Sequence, residues 1–241
     1  MYGMYGYGYG YGLDPTIILV LIGVALSLWA QGRVNSTFSR YSRVRSMTGM
    51  TGAEAARRLL NAQGIYDVTV QQIAGELTDH YDPRTKTVNL SQSVYGATSV
   101  AAIGVAAHEC GHAMQDNEGY APLRFRSALV PVANSGSSLS WPLILLGLVF
   151  GGLGSPLVEI GILMFSLAVL FQLVTLPVEY NASARAVRLL DAQGILAGEE
   201  VNGTRKVLNA AALTYVAAAA TSILQLLRLI ILFGGRNRRD R

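Results

Sequence analysis

The stretch VAAHECGHAMQ (residues 105–115) places His108 and His112 four positions apart, with Glu109 directly after the first histidine. On an α-helix this spacing puts both imidazoles on one face, one turn apart, so the two rings can bind a single metal ion. Zinc accepts imidazole nitrogen at about 2.0–2.1 Å and prefers four ligands. Glu109 is rotated by one residue from His108, so it flanks the ion and can take a proton from bound water. The motif predicts a catalytic zinc centre with Glu109 as the general base.

The alternative is a helix whose histidines stand at this spacing by chance. The chain has only three histidines, and two of them lie in the motif, which favours the metal site. The apolar stretch VAAIGVAA leads into the motif and indicates a buried helix, in which Gly111 would let another element approach closely. Cys110, the single cysteine, lies off the face that the histidines share and is expected to pack in the core.

A catalytic zinc site needs a third protein ligand and one open position for water. Only His80 remains among the histidines, so a carboxylate is expected. The best candidate is Glu179 in LPVEYNASARA, where an apolar run ends at Pro177 and an amphipathic helix begins. Asp116, one turn beyond His112, is the rival, either as a ligand or as a support for a histidine. The spacing alone leaves both carboxylates open.

The composition points to a membrane protein. The 241 residues are 51% hydrophobic and only 14% charged, whereas soluble domains carry about 25% charged residues. The formal net charge of +4 suggests basic residues in cytoplasmic loops. No basic stripe is interleaved with aromatic residues, which disfavours nucleic-acid binding. With one cysteine, the chain cannot form an intrachain disulfide.

Apolar runs and changes of composition divide the chain into seven segments. In chain order they are a disordered Gly/Tyr tail (1–12), transmembrane helix 1 (13–32), a cytoplasmic catalytic region with the motif helix (33–136), a transmembrane hairpin around GGLGSP (137–176), an amphipathic region with the third ligand (177–206), a long apolar helix (207–233) and a basic tail (234–241).

Shorter patterns predict the secondary structure of the catalytic region. Thr51-Gly-Ala-Glu54 is a capping box, which marks a helix start. Tyr66–Ile73 and Thr87–Leu90 are rich in β-forming residues, and a turn at Asp82-Pro83 lies between them, which predicts a small hairpin or two short strands. The predicted fold is therefore mainly α, with about four transmembrane helices, an active-site helix and a small β-hairpin in the cytoplasmic part.

The distribution of lysine and arginine predicts the orientation. Ten of the 19 basic residues lie in 33–136 and four in 177–206, while the turn at 151–156 has none. The positive-inside rule then places both larger loops, and with them the predicted site, in the cytoplasm. If the last apolar stretch spans fully, the tail RNRRDR ends outside, against the rule. Either that helix is only partly embedded or re-entrant, or the basic residues of the earlier loops determine the orientation in spite of the basic tail.

Four stretches together resemble the YugP-like family of membrane-bound neutral zinc metallopeptidases. They are HECGHAMQ, LTDHYDPRTKTVNLS, APLRFRSALVPVANSGS and FQLVTLPVEYNASARA, and the resemblance runs from about Trp29 to Phe233. It implies a metallopeptidase whose motif helix lies between membrane segments. It also implies Zn²⁺ as the cofactor, held by His108, His112 and a downstream glutamate, whose position Glu179 occupies.

One departure from the wider pattern affects the support of the histidines. Related membrane peptidases with a glutamate ligand often carry an aspartate four residues after it, to support a histidine. This sequence has Ser183 at that position. Two possibilities follow for the group that supports the histidine. Ser183 fills this role in place of aspartate, or Asn181 or another group does.

Other polar residues receive more ordinary interpretations. His80 in DHYDP is expected to be a turn histidine, with a hydrogen bond to the oxyanion of the reaction as the alternative. Thr87–Leu90 is a candidate edge strand that could bind an extended substrate. Arg124 and Arg126 are expected to be a lipid-facing or solvated charge pair, with a clamp for a substrate carboxylate as the alternative.

The leading functional hypothesis is a zinc endopeptidase of the plasma or inner membrane that cleaves membrane or membrane-proximal proteins. Its expected partners are protein or peptide substrates and membrane lipids, without nucleic acid. An intramembrane protease is a second enzyme hypothesis. A zinc-binding scaffold or chaperone without proteolytic activity is the alternative outside enzymes, and the presence of Glu109 argues against it, because a purely structural zinc site needs no base.

Overall fold

The computed structural model describes residues 14–152 and 155–233. Within these ranges the chain forms helices joined by short loops and three short strands. The elements are α1 (Ile17–Ser42), α2 (Gly52–Ala62), β1 (Thr69–Ile73), β2 (His80–Asp82), β3 (Thr87–Ser91), α3 (Gln92–Tyr95), α4 (Val100–Asn117), α5 (Ala121–Gly151), α6 (Pro156–Ala192) and α7 (Glu199–Phe233). The tails predicted at 1–12 and 234–241 lie outside the described residues.

In the described ranges four helices, α1, α5, α6 and α7, are long and apolar enough to cross a membrane. They leave large apolar side chains uncovered, and Val149 and Phe150 expose 76% and 80% of their surface. Apolar surface on this scale is stable when lipid covers it. The predicted mainly helical fold with about four membrane helices is confirmed.

The long helices pack in the order α1, α7, α6, α5. The contact between α5 and α6 is close, because a Cβ on Gly136 would lie 2.6 Å from the carbonyl oxygen of Met164. Two predicted features differ in detail. Helix α5 starts at Ala121, before the hairpin start predicted at 137, and α6 continues through Pro177 to Ala192. Both predicted boundaries, at 136 and 176, thus fall inside continuous helices.

Helices α1 and α7 are joined by polar contacts near one end of the pair. Arg228, which interrupts the last apolar run, donates from Nη2 to Asp14 Oδ2 and from Nε to Thr16 Oγ1, both at 3.2 Å. The pairing gives the arginine a local anion and ties the start of α1 to the end of α7.

A compact α/β unit occupies the other end of the bundle. The capping box at the start of α2 is confirmed, with Thr51 Oγ1 accepting from Glu54 N and Glu54 Oε2 accepting from Thr51 N. The sheet has the order β1-β3-β2, with β3 parallel to β1 and antiparallel to β2. The two predicted strands, Tyr66–Ile73 and Thr87–Leu90, correspond to β1 and β3, which run parallel and therefore form no hairpin with each other. The hairpin consists instead of β3 and the unpredicted strand β2, which ends at the predicted turn.

The candidate edge strand needs correction. β3, which contains Thr87–Leu90, is the central strand of the sheet and is buried along its whole length. Its apolar side chains Val88 and Leu90 belong to the core between the sheet and the helices, so this strand has no free edge for a substrate. The outer strand on that side is β2.

Helix α4 runs through the middle of the molecule and carries the histidine motif. Ser99 caps its start by accepting a hydrogen bond from Ala102 N. The helix packs against α2 on one side and against α6 and α7 on the other, so most of its residues are buried. This position fixes the motif side chains between the α/β unit and the membrane helices.

We expect Gly136→Ala to destabilise the α5–α6 pair, because the added methyl group would force the two backbones apart. Overpacking of this kind costs about 1–3 kcal/mol, and it would appear as a lower unfolding temperature of the full chain by circular dichroism. Gly32→Ala in α1 is the matched control, since its Cβ would meet nothing within 4 Å. Equal unfolding temperatures for the two variants would contradict the close packing.

Candidate metal centre

Three predicted ligand side chains meet at one point. The ligand atoms of His108, His112 and Glu179 all lie within 4.8 Å of one another. Glu179 Oε2 is 3.2 Å from His108 Nε2 and 3.5 Å from His112 Nε2. Ligand atoms bound to a tetrahedral zinc ion at about 2.0–2.1 Å are about 3.3 Å apart. The three groups therefore fit a zinc ion.

Two helices far apart in sequence supply this cluster. The histidines lie one turn apart on α4, and their rings meet edge to face with centroids 4.8 Å apart. Glu179 comes from α6, which lies close to α4 at Gly111. A Cβ on Gly111 would lie 2.6 Å from the carbonyl oxygen of Ala182. The expectation that Gly111 permits a close approach is confirmed, and the approaching element is the helix that carries the carboxylate.

Hydrogen bonds orient each imidazole through its other nitrogen. His108 Nδ1 is 3.1 Å from Ser183 Oγ, and His112 Nδ1 is 3.0 Å from Gln115 Oε1. An Nδ1–H that donates to these oxygens leaves Nε2 unprotonated and facing Glu179, which is the form that binds metal. Ser183 therefore contacts the imidazole of His108 from the position at which related peptidases often carry an aspartate.

Gln115 is a supporting residue that sequence reasoning missed. Its side chain is fully buried, and its Nε2 donates to Val178 O at 2.9 Å and to Asn181 Oδ1 at 3.0 Å. These donors fix the amide so that Oε1 faces His112. Asn181 also accepts from Arg185 Nε at 2.7 Å. A glutamine three positions after His112, on the buried part of an apolar helix, was the available signal.

Arg126 corrects a second expectation. The sequence predicts that it faces lipid or solvent, but its Nη1 lies 3.1 Å from Glu179 Oε1. Glu179 is only 2% exposed, and a buried carboxylate needs a cation or donors close by. The guanidinium holds one carboxylate oxygen and leaves Oε2 directed at the imidazoles. Arg124, by contrast, is exposed as expected.

Glu109 lies beside the cluster and is 7% exposed. Burial raises the pKa of its carboxyl to about 7, with His108 opposing the rise and Glu179 adding to it. A hydrogen bond from the backbone N–H of Tyr81 in β2 also reaches this carboxylate. The group thus sits in a place where it can both accept and release a proton near neutral pH.

The remaining candidates have other contacts. Asp116 accepts from Tyr81 Oη at 2.8 Å and from Lys86 Nζ at 2.7 Å, so it holds the hairpin against α4. Cys110 packs in the core with its sulfur 3.6 Å from Ala56 O, as predicted. His80 is the first residue of β2, where its ring nitrogens contact Thr78 O and Asn89 Nδ2.

Two cavities open on either side of the cluster. One, of about 320 Å³, is bounded by Gln31, Val34 and Leu208 from α1 and α7. The other, of about 330 Å³, is bounded by His80 in β2 and by the start of α5. Both cavities share five lining residues, Asp79, His108, Glu109, Glu179 and Tyr215. The cluster therefore lies in a cleft that continues in two directions.

We expect Gln115→Ala to weaken zinc binding about 10–100-fold, since loss of an outer hydrogen bond to a ligating imidazole has this effect. Isothermal titration of the purified full chain with Zn²⁺ measures the change. Gln72→Ala, at an exposed position in β1, is the matched control and should bind zinc as the parent does. An unchanged affinity in the Gln115 variant would show that the amide does not support the ion.

Comparisons with known proteins agree with this geometry. A family model described as "Putative neutral zinc metallopeptidase" matches residues 16–234. A protein of Bacillus subtilis (strain 168) described as "Putative membrane protease YugP" is 49% identical over 217 residues, which cover 90% of this chain and 96% of that protein. No solved structure matches the chain significantly. The family match covers the motif helix and all four long helices, and the chain belongs to this neutral zinc metallopeptidase family.

Proposed function

We propose that the protein is a membrane-bound zinc endopeptidase that hydrolyses peptide bonds in membrane or membrane-proximal proteins. The observation that carries this proposal is the cluster of His108, His112 and Glu179 with the buried carboxyl of Glu109 beside it, inside a cleft open in two directions. A purely structural zinc site has four protein ligands and needs no base. Three ligands and an adjacent carboxyl are the arrangement of a hydrolytic site.

In this proposal His108, His112 and Glu179 hold the zinc ion. Zinc, when bound, polarises the substrate carbonyl and lowers the pKa of water, which makes water a nucleophile near neutral pH. Glu109 takes the proton as the water oxygen bonds to the carbonyl carbon. It then delivers that proton to the amine nitrogen as the carbon–nitrogen bond breaks. The products are a carboxylic acid and an amine, and at neutral pH the acid gives its proton up as the amine takes one, which leaves a carboxylate and an ammonium group.

The residues around the ligands keep them in position. Ser183 and Gln115 orient the imidazoles, and Arg126 holds the far oxygen of Glu179. Since Arg126 pairs with only one oxygen, the other stays directed at the ion position. Preorganised ligands of this kind reduce the movement needed during the reaction.

The two cavities support cleavage within a chain rather than at its end. An extended substrate could run from the cavity beside α1 and α7, past the cluster, into the cavity beside β2. The first cavity offers apolar walls at Val34 and Leu208. The second borders β2, the outer strand of the sheet, beside which the substrate backbone could lie.

The place of the cluster in the fold supports a membrane-proximal substrate. Glu179 follows directly on the apolar part of α6, and Gln31 in the cleft stands at the end of the apolar part of α1. The cluster therefore lies level with the ends of the membrane spans. Because the loops at this end hold most of the basic residues, we place the site on the cytoplasmic side. The motif helix α4 is not among the four candidate spans, which disfavours cleavage in the middle of the bilayer.

We expect Glu109→Gln to bind zinc as the parent does and to lose proteolytic activity by about 10²–10⁴-fold, because it keeps the ligands and removes the base. Cleavage of casein or of a membrane-anchored reporter, measured beside zinc content by mass spectrometry, tests both statements. Glu76→Gln, at an exposed position, is the matched control and should remain active. Full proteolysis by the Glu109 variant would refute the assigned base, and a parent that binds zinc without cleaving any substrate would favour the scaffold alternative.

A further inference from the structure

A third cavity lies outside the proposed cleft, between α1, α6 and α7. Its volume is about 690 Å³, which is within the usual range for small-molecule sites. The residues that define its chemistry are Arg33, Arg40, Tyr41, Tyr180, Lys206 and Asn209. None of the lining residues in the described part of the chain is an aspartate or glutamate. The cavity therefore offers cations and hydrogen-bond donors without a built-in anion.

Among the described residues, the three cations of this cavity form no ion pair. The ion pairs found among the described residues join other cations, and none involves Arg33, Arg40 or Lys206. Arg40 instead lies over the ring of Tyr41, with its Cζ 5.6 Å from the ring centroid. Basic side chains gathered around a concave surface without acidic partners favour an anionic ligand.

The cavity also lies at a defined depth. The apolar part of α1 carries no charge from Ile17 to Gly32, and Arg33 is the first charged residue after it. Lys206 is the last charged residue before the apolar part of α7, and Tyr180 follows the apolar part of α6. All three helices therefore place their polar lining at the same membrane–water boundary, where tyrosine and basic residues meet phospholipid headgroups.

One wall of the cavity continues into apolar surface. Ala210 and Leu213 of α7 complete the lining, and the next parts of α1 and α7 expose apolar side chains such as Leu28 and Val216. A ligand with a charged head and an apolar tail would satisfy both parts at once. A soluble phosphate ester would use only the charged part.

We propose that this cavity binds the phosphate group of an anionic phospholipid. The phosphate would lie among Arg33, Arg40 and Lys206, with Asn209 and Tyr180 as further hydrogen-bond partners, while the acyl chains follow the exposed surface of α1 and α7. Phosphate is the chemistry that the site recognises, and the depth and the apolar wall assign it to a lipid rather than to a soluble ester. This proposal is independent of proteolytic activity.

Native mass spectrometry of the full chain, released from detergent micelles that contain phosphatidylglycerol or phosphatidylcholine, tests the proposal. We expect phosphatidylglycerol to be retained in preference to phosphatidylcholine. In the variant Arg33→Gln/Arg40→Gln/Lys206→Gln its affinity should fall roughly 100-fold, because each basic residue near an anionic headgroup contributes about a fivefold factor. The single variants Arg33→Gln and Lys206→Gln, each about fivefold weaker, keep the test valid if the triple variant does not fold.

A matched control removes three charges elsewhere on the same side of the molecule. Arg43→Gln/Arg45→Gln/Arg124→Gln changes exposed residues and should retain the lipid. An equal loss in this control would show general attraction to a basic surface and would overturn the site.

Competition by glycerol 3-phosphate or inorganic phosphate separates the two sources of phosphate. Displacement of the lipid at equal concentrations of the soluble compound would overturn the lipid assignment, and failure to displace it would support that assignment.

Discussion

The close contact between α4 and α6 is the constraint on which the candidate centre depends. Two imidazoles one turn apart can share an ion, but the carboxylate must come within about 3.3 Å of both. Gly111 has no side chain at the crossing, so the backbone of Ala182 fits against it. That approach brings Glu179 to His108 across 71 positions of sequence. Ser183, the residue that follows Ala182 in α6, contacts His108 through the same crossing.

The cluster concentrates polar groups where water is scarce, and its surroundings compensate for this. Glu179 is almost fully buried and pairs with Arg126, while Gln115 satisfies His112 and the carbonyl of Val178. Removing one partner from such a network leaves an uncompensated buried group. The network links α4, α5 and α6, so the elements that shape the cleft also hold the ligands. The ligand side chains are therefore held in fixed positions although the cluster lies at the end of the membrane helices.

The sequence predicts the local features well and the long-range ones less well. The histidine spacing, the capping box and the four apolar helices are local patterns, and the structure agrees with each. Glu179 is predicted as a ligand from the residues around it and from the family resemblance, not from its spacing to the histidines. The roles of Gln115 and Arg126 depend on which helices meet, which no local pattern encodes. Pro177 predicts a helix end, but neighbouring helices can support a proline-containing helix in a membrane bundle, and α6 continues to Ala192.

The most direct test of the account is an anomalous difference map, measured at the zinc absorption edge, from crystals of the full chain. If these three side chains hold zinc, the map contains one strong peak about 2.0–2.2 Å from His108 Nε2, His112 Nε2 and an oxygen of Glu179. A peak bound by Asp116 in place of Glu179, or density that leaves the two imidazoles without a shared ion, would contradict it.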